Sequence, residues 1–112
     1  MTESALVREI RLEAPKLGVT LFRNSVGMYR DGKGNVIRYG LAVGSSDLIG
    51  WFNDPSSGAC GECAVFVAIE AKAPGKKATP EQLAFIAAVK RAGGIAGVVY
   101  SLDEFRQLIA NG

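Results

Sequence analysis

The sequence predicts an α/β (α+β) domain with a mixed central β-sheet flanked by helices. Three observations predict it. Two apolar runs, residues 48–52 and 64–72, are separated by a turn-rich stretch and read as antiparallel strands. Two capping-box signatures, Thr79-Pro-Glu-Gln82 and Ser101-Leu-Asp-Glu104, open helical patterns. A third apolar run, residues 95–100, lies between those helices. Residues 64–100 therefore read strand, helix, strand, which should close as a right-handed parallel crossover.

The remaining elements follow in order. Leu6, Ile10, Ala14 and Leu17 recur at near-helical spacing, so residues 3–17 read as an amphipathic helix that Pro15 kinks or ends early. Gly18 is a natural stop. Residues 19–23 form a short strand, and the glycine-rich stretch 24–35 a loop or irregular hairpin. Residues 36–39 are another strand, and 40–46 a Gly/Ser turn region leading to Asp47. The 112 residues suit a single domain, with 48% hydrophobic residues, a globular composition. No apolar run approaches the roughly 20 residues of a membrane helix, and no signal-peptide pattern opens the chain. The cytoplasm is the expected location.

Net charge is only +2, but its distribution is uneven. Lys16, Arg23, Arg30, Lys33 and Arg38 face a single acid, Asp31, within residues 16–46, and Lys72, Lys76 and Lys77 add a second cluster. A local basic surface of this kind suits a polyanion such as nucleic acid; a mixed, solvated surface fits the charge alone equally well. The chain has no histidine. That excludes Ser-His-Asp and Cys-His hydrolases and histidine-ligated zinc hydrolases. Catalysis must then use carboxylates, lysine, hydroxyls or a metal.

Glu70 and Lys72 sit two residues apart at the end of an apolar run. In an extended strand they share one face. Burying an unpaired charge costs several kcal/mol, roughly, so charges in such a strand need a partner. An ordinary strand-end salt bridge is one answer. Asp47, ahead of the other apolar run, offers a different one: two carboxylates and a lysine converging at strand ends. Asp47 and Glu70 would supply carboxylates to a divalent cation such as Mg²⁺, and the backbone carbonyl of Ala71 could point toward the same ion. Lys72 would orient the attacking water or stabilise transition-state charge.

Four stretches carry a resemblance to a known family: 21–27 (Leu-Phe-Arg-Asn-Ser-Val-Gly), 44–51 (Gly-Ser-Ser-Asp-Leu-Ile-Gly-Trp), 68–75 (Ala-Ile-Glu-Ala-Lys-Ala-Pro-Gly), and 79–82 with Phe85. In this order they resemble the virus-type replication-repair nuclease (VRR-NUC) family of the PD-(D/E)xK nuclease superfamily. The resemblance implies a restriction-endonuclease-like fold. It implies that Asp47 and Glu70 hold Mg²⁺ or Mn²⁺, that Lys72 is catalytic and that Gln82 faces the site. A capping-box role competes for the Gln82 amide. The family's first-helix acid maps by spacing onto Glu3, with Glu9 as the alternative and Glu13 a weaker one. The superfamily's proline before the aspartate is Ser46 here, and the hairpin tip of residues 54–62 is long.

Arg23, Asn24, Ser45, Ser46 and Lys76 are candidate nucleic-acid contacts; for Asn and Ser, turn chemistry is the competing role. Trp51 and Phe52 read as core or edge packing. Cys60 and Cys63 read as two thiols on a hairpin, a zinc site being open only if two chains share it. The functional expectation is a metal-dependent endodeoxyribonuclease of phage or prophage type. A homodimer acting on junctions or flaps is the preferred refinement, by analogy. A ribonuclease with the same site, or a DNA-binding module without catalysis, are the rivals.

Overall fold

In the computed structural model, residues 1–55 and 63–112 are described. The order is α1 (Glu3–Glu13), β1 (Val19–Arg23), β2 (Gly27–Arg30), β3 (Val36–Tyr39), β4 (Leu48–Asp54), β5 (Cys63–Ala71), α2 (Pro80–Arg91), β6 (Ile95–Val99) and α3 (Leu102–Asn111). Four strands form a mixed sheet in the order β1-β4-β5-β6. β1–β4 and β4–β5 are antiparallel, and β5–β6 is parallel across α2. This is a mixed α+β fold with a central sheet and three helices, consistent with a restriction-endonuclease-like architecture.

The helix expected over 3–17 is an α-helix only to Glu13. Pro15 follows, and residues Ala14–Leu17 tighten into a 3₁₀ turn that ends on Gly18 at φ 77°. The glycine-rich stretch contains a regular strand, β2, which pairs with β3 as a sheet of its own. Its turn is built by Asp31, whose carboxylate accepts from the N–H of Lys33 and Asn35. The second capping box is only half formed: Ser101 accepts from Glu104 N–H, while Glu104 accepts from Tyr100 N–H.

Strand alternation sorts the central sheet into two faces. Val67, Ile69 and Ala71 of β5 point to the face covered by α1 and α3, where Leu6, Ile10, Leu48, Val99, Phe105 and Ile109 complete the larger core. Ala68 points to the other face, against Ile86 of α2 and Ala96 of β6, with Phe85 and Val89 beside them. Glu70 has the same parity as Ala68, so it belongs to the α2 face. Phe52 packs on the larger core, while Trp51 faces the other way, 40% exposed, its ring 5.8 Å from that of Phe22.

An ion-pair group joins α1 to α3. Arg106 donates to Glu13 at 2.6 Å and to Asp103 at 3.0 Å. Such solvent-screened pairs contribute little to stability. Phe105, fully buried between the sheet, α1 and α3, contributes far more. Phe105→Ala should cost about 3–5 kcal/mol in urea denaturation; a loss under about 1 kcal/mol would place the core elsewhere.

Candidate active site

The β4–β5 register pairs Leu48 with Ile69. One step further along that ladder, Asp47 comes opposite Glu70. The ladder with β1 also runs on past its last strand pair, because Asn24 N–H donates to the Asp47 carbonyl at 2.7 Å. On the other side, Lys72 N–H donates to the Val99 carbonyl, so the chain stays extended through Lys72. The two carboxylates are thus held by backbone hydrogen bonds from three neighbouring strands.

Glu70 is 1% exposed, and its Oε1 has no hydrogen-bond partner. Its pKa is pushed up to about 9, first by burial, then by hydrogen bonding and charge from Asp47; Lys72 pulls it down and Glu3 adds a further upward push. A buried carboxylate left with an open oxygen, beside a second carboxylate, is a poor structural arrangement and a good cation site. A divalent cation fits this donor set. Asp47, Glu70 and the Ala71 carbonyl could hold it through oxygen, as Mg²⁺ and Mn²⁺ prefer. Among the described residues no three His, Cys, Asp or Glu side chains form a metal-holding group, so water would complete the shell.

Of the first-helix acids, Glu3 is the one whose charge acts on Glu70. Glu13 is held by Arg106 and Lys16 instead, and its pKa is lowered by them, the Arg106 hydrogen bond most. Gln82 makes both capping-box bonds: its N–H donates to Thr79 Oγ1, and its side-chain oxygen accepts from Thr79 N–H. It lies three and four residues before Phe85 and Ile86, on the helix stripe facing the sheet. Gln82 and Asp47 line the same cleft, of about 780 Å³, so its capping bond leaves it at the site.

Asn24 and Ser46 are enclosed. The Asn24 amide donates to Ser45 Oγ at 2.7 Å and to the Ser46 carbonyl at 2.9 Å, and its oxygen accepts from Leu41 N–H at 3.1 Å. Asn24 is therefore the clamp that shapes the 41–47 loop. Ser46, fully buried, has a hydroxyl with no partner. Proline at that position would carry no such orphan. Gly44, at φ 88°, lets the loop meet α2: a Cβ there would lie 2.7 Å from the Glu81 backbone. Arg23 and Ser45 line the cleft. Lys76 does not; it is exposed on the loop after β5, where its carbonyl accepts from Tyr100 Oη. Arg38 and Tyr39 also line the cleft, and sequence reasoning assigned neither to the site. The segments flanking the 31–35 turn, Gly-Met-Tyr-Arg and Val-Ile-Arg-Tyr, carry no apolar–polar alternation that would have signalled the hairpin. Cys60 lies outside the described residues, as does most of the long tip, and the shared-zinc reading falls outside them with it.

A family model of the VRR-NUC domain matches residues 9–103. The chain belongs to the VRR-NUC domain family. That family is one of nucleases, and the match spans Asp47, Glu70, Lys72 and Gln82, while Glu3 precedes it. No curated protein matches the chain. No helix among the described residues is long and apolar enough to cross a membrane.

Two outcomes follow from this geometry. In EDTA, the unfolded chain ionises Glu70 near its ordinary 4.5, but the folded chain only near 9. Between those values the unfolded state holds fewer protons, so stability should fall as pH rises. Thermal denaturation in EDTA across this range should show that fall in the wild type and a flatter profile in Glu70→Gln. Parallel profiles would show that Glu70 is not the strained group. Asn24→Ala leaves the Leu41 N–H without its partner and frees the 41–47 loop. It should cost about 2 kcal/mol in urea denaturation.

Proposed function

We propose that the protein is a Mg²⁺- or Mn²⁺-dependent phosphodiesterase, an endodeoxyribonuclease, with Asp47, Glu70, Lys72 and Gln82 as its catalytic group. The observation that carries this reading is the open oxygen of buried Glu70, set beside Asp47 and within the electrostatic reach of Lys72. A purely structural role would leave no reason to bury Glu70 with an open oxygen beside a second carboxylate, Asp47, that borders the cleft.

Asp47 and Glu70, with the Ala71 carbonyl, hold the cation, and Glu3 contributes its charge from the start of α1. A cation held there would supply Lewis acidity to the phosphate and would lower the pKa of a water bound to it. The Lys72 ammonium, on the same strand face as Glu70, orients that water and stabilises the charge that grows on phosphorus oxygens. The Gln82 side-chain nitrogen is left to donate toward water or phosphate, since the capping bond uses the oxygen. Arg23 contacts the nucleic-acid backbone, and Asn24, Ser45 and Ser46 hold the loop that aims Asp47; the Ser45 hydroxyl and N–H both donate to the Ala42 carbonyl, which leaves Ser45 no donor for phosphate. Lys76, outside the cleft, would meet a longer stretch of backbone. Two such domains acting together on branched DNA is the refinement we favour.

The test is cleavage of plasmid, linear and four-way-junction DNA with Mg²⁺, Mn²⁺ or EDTA. Asp47→Ala and Lys72→Ala should each lower the rate at least about 100-fold. Cleavage that survives both substitutions or ignores EDTA would overturn the mechanism. DNA binding without cleavage under any metal would favour a binding module instead.

A further inference from the structure

The cleft beside Asp47 has a second wall, made by the β2–β3 hairpin. That hairpin has two unlike faces. Its register pairs Met28 with Arg38 and Arg30 with Val36 on one face, and Gly27 with Tyr39 and Tyr29 with Ile37 on the other. From Met28 to Tyr39 every residue except Asp31 is exposed. A two-stranded sheet standing in water is marginal by itself, so an exposed one bearing large side chains is suited to a ligand.

The residues it brings to the cleft are specific. Arg38 and Tyr39 line it together with Arg23 and Asp47. The Tyr39 ring lies across Gly27, where a Cβ would collide with the phenol oxygen, and it is 48% exposed. Among the described residues neither Arg23 nor Arg38 forms a salt bridge. Two unpaired guanidiniums call for an anion, and their planar forks suit phosphate. The exposed Tyr39 ring, on the hairpin's other face but also bordering the cleft, calls for a flat apolar surface, which in a nucleic acid is a base face. Bases offer that face only when unstacked. The size agrees: about 780 Å³ is the volume of a small-molecule site and suits a few nucleotides of one strand.

We propose that the cleft binds an unpaired nucleic-acid strand, with Arg23 and Arg38 on its phosphates and Tyr39 stacked on a base. The hairpin then acts as an arm that leads the strand past Asp47. This rests on the nuclease reading for the identity of the anion, and it narrows that reading to substrates with a single-stranded segment.

The test is binding without cleavage. Fluorescence anisotropy in EDTA compares a labelled single strand, its duplex, and a strand of equal length whose bases have been removed. The wild type should bind the intact single strand about tenfold more tightly than the abasic one. Tyr39→Leu should remove that difference, and Tyr39→Phe should keep it. Arg38→Gln should weaken binding to intact and abasic strands alike and reduce the salt slope by about one. Arg91→Gln, at the far end of α2, serves as the charge control and should change affinity less than about twofold. Equal wild-type affinity for intact and abasic strands, or for single strand and duplex, would overturn the proposal, and that comparison needs no variant to fold. Cleavage assays separate the two readings. A protein that distinguishes the strands this way but cuts nothing with metal refutes the nuclease reading alone. One that cuts DNA yet binds abasic strands equally well refutes this inference alone.

Discussion

The juxtaposition of Asp47 and Glu70 across the β4–β5 ladder is the constraint around which the rest of the molecule is arranged. Burial and the neighbouring Asp47 together disfavour a negative charge on Glu70 and hold its carboxyl protonated well above the usual range. Only a rigid frame can keep the pair there. The frame is the sheet itself: β4 pairs with β5 through Leu48 and Ile69, and the chain on either side stays extended through Asn24 and Lys72. Moving the register by one residue would turn Glu70 into the core packed by α1 and α3 and put Ile69 at the site.

Around that pair the supports are local and polar. Asn24 ties the 41–47 loop together through three hydrogen bonds, and Gly44 lets the loop approach the first turn of α2. Gln82 joins the two ends of this arrangement. Its capping bonds fix the start of α2, and the helix stripe it shares with Phe85 and Ile86 fixes which way it faces. A capping glutamine and a site glutamine are therefore compatible, because the cap engages the amide oxygen and leaves the nitrogen. The Glu13–Arg106–Asp103 group, by contrast, ties helices on the other face of the sheet and engages a first-helix acid whose charge does not act on Glu70.

Much of the fold was legible because its signals are local. Thr79-Pro80 and Gln82 specify the start of α2 by their own hydrogen bonds, and Pro15 specifies where α1 gives way to a tighter turn. The hairpin of β2 and β3 was only half legible. Its glycines suggested a loop, since glycine weakens a strand wherever packing is absent. What makes Gly27 a strand residue is Tyr39 lying over it, a contact between positions twelve residues apart that no local pattern records. Arg38 shared that fate: its cleft position depends on the pairing of β2 with β3, which brings the end of β3 to the cleft.

The sequence by itself determined the chemistry on offer: a chain without histidine, with Asp47, Glu70 and Lys72 at strand ends and Gln82 at a helix start. Those assignments follow from residue type and period, which are properties of short segments. Tertiary structure decided which acids and cations share one space. It brought Glu3 rather than Glu13 within reach of Glu70, enclosed Asn24 and Ser46, left Lys76 outside the cleft and added Arg38 and Tyr39 to its wall. The physical reason is that electrostatic coupling and burial depend on distance through space. Strand pairing and helix docking set that distance, and the spacing of residues along the chain does not.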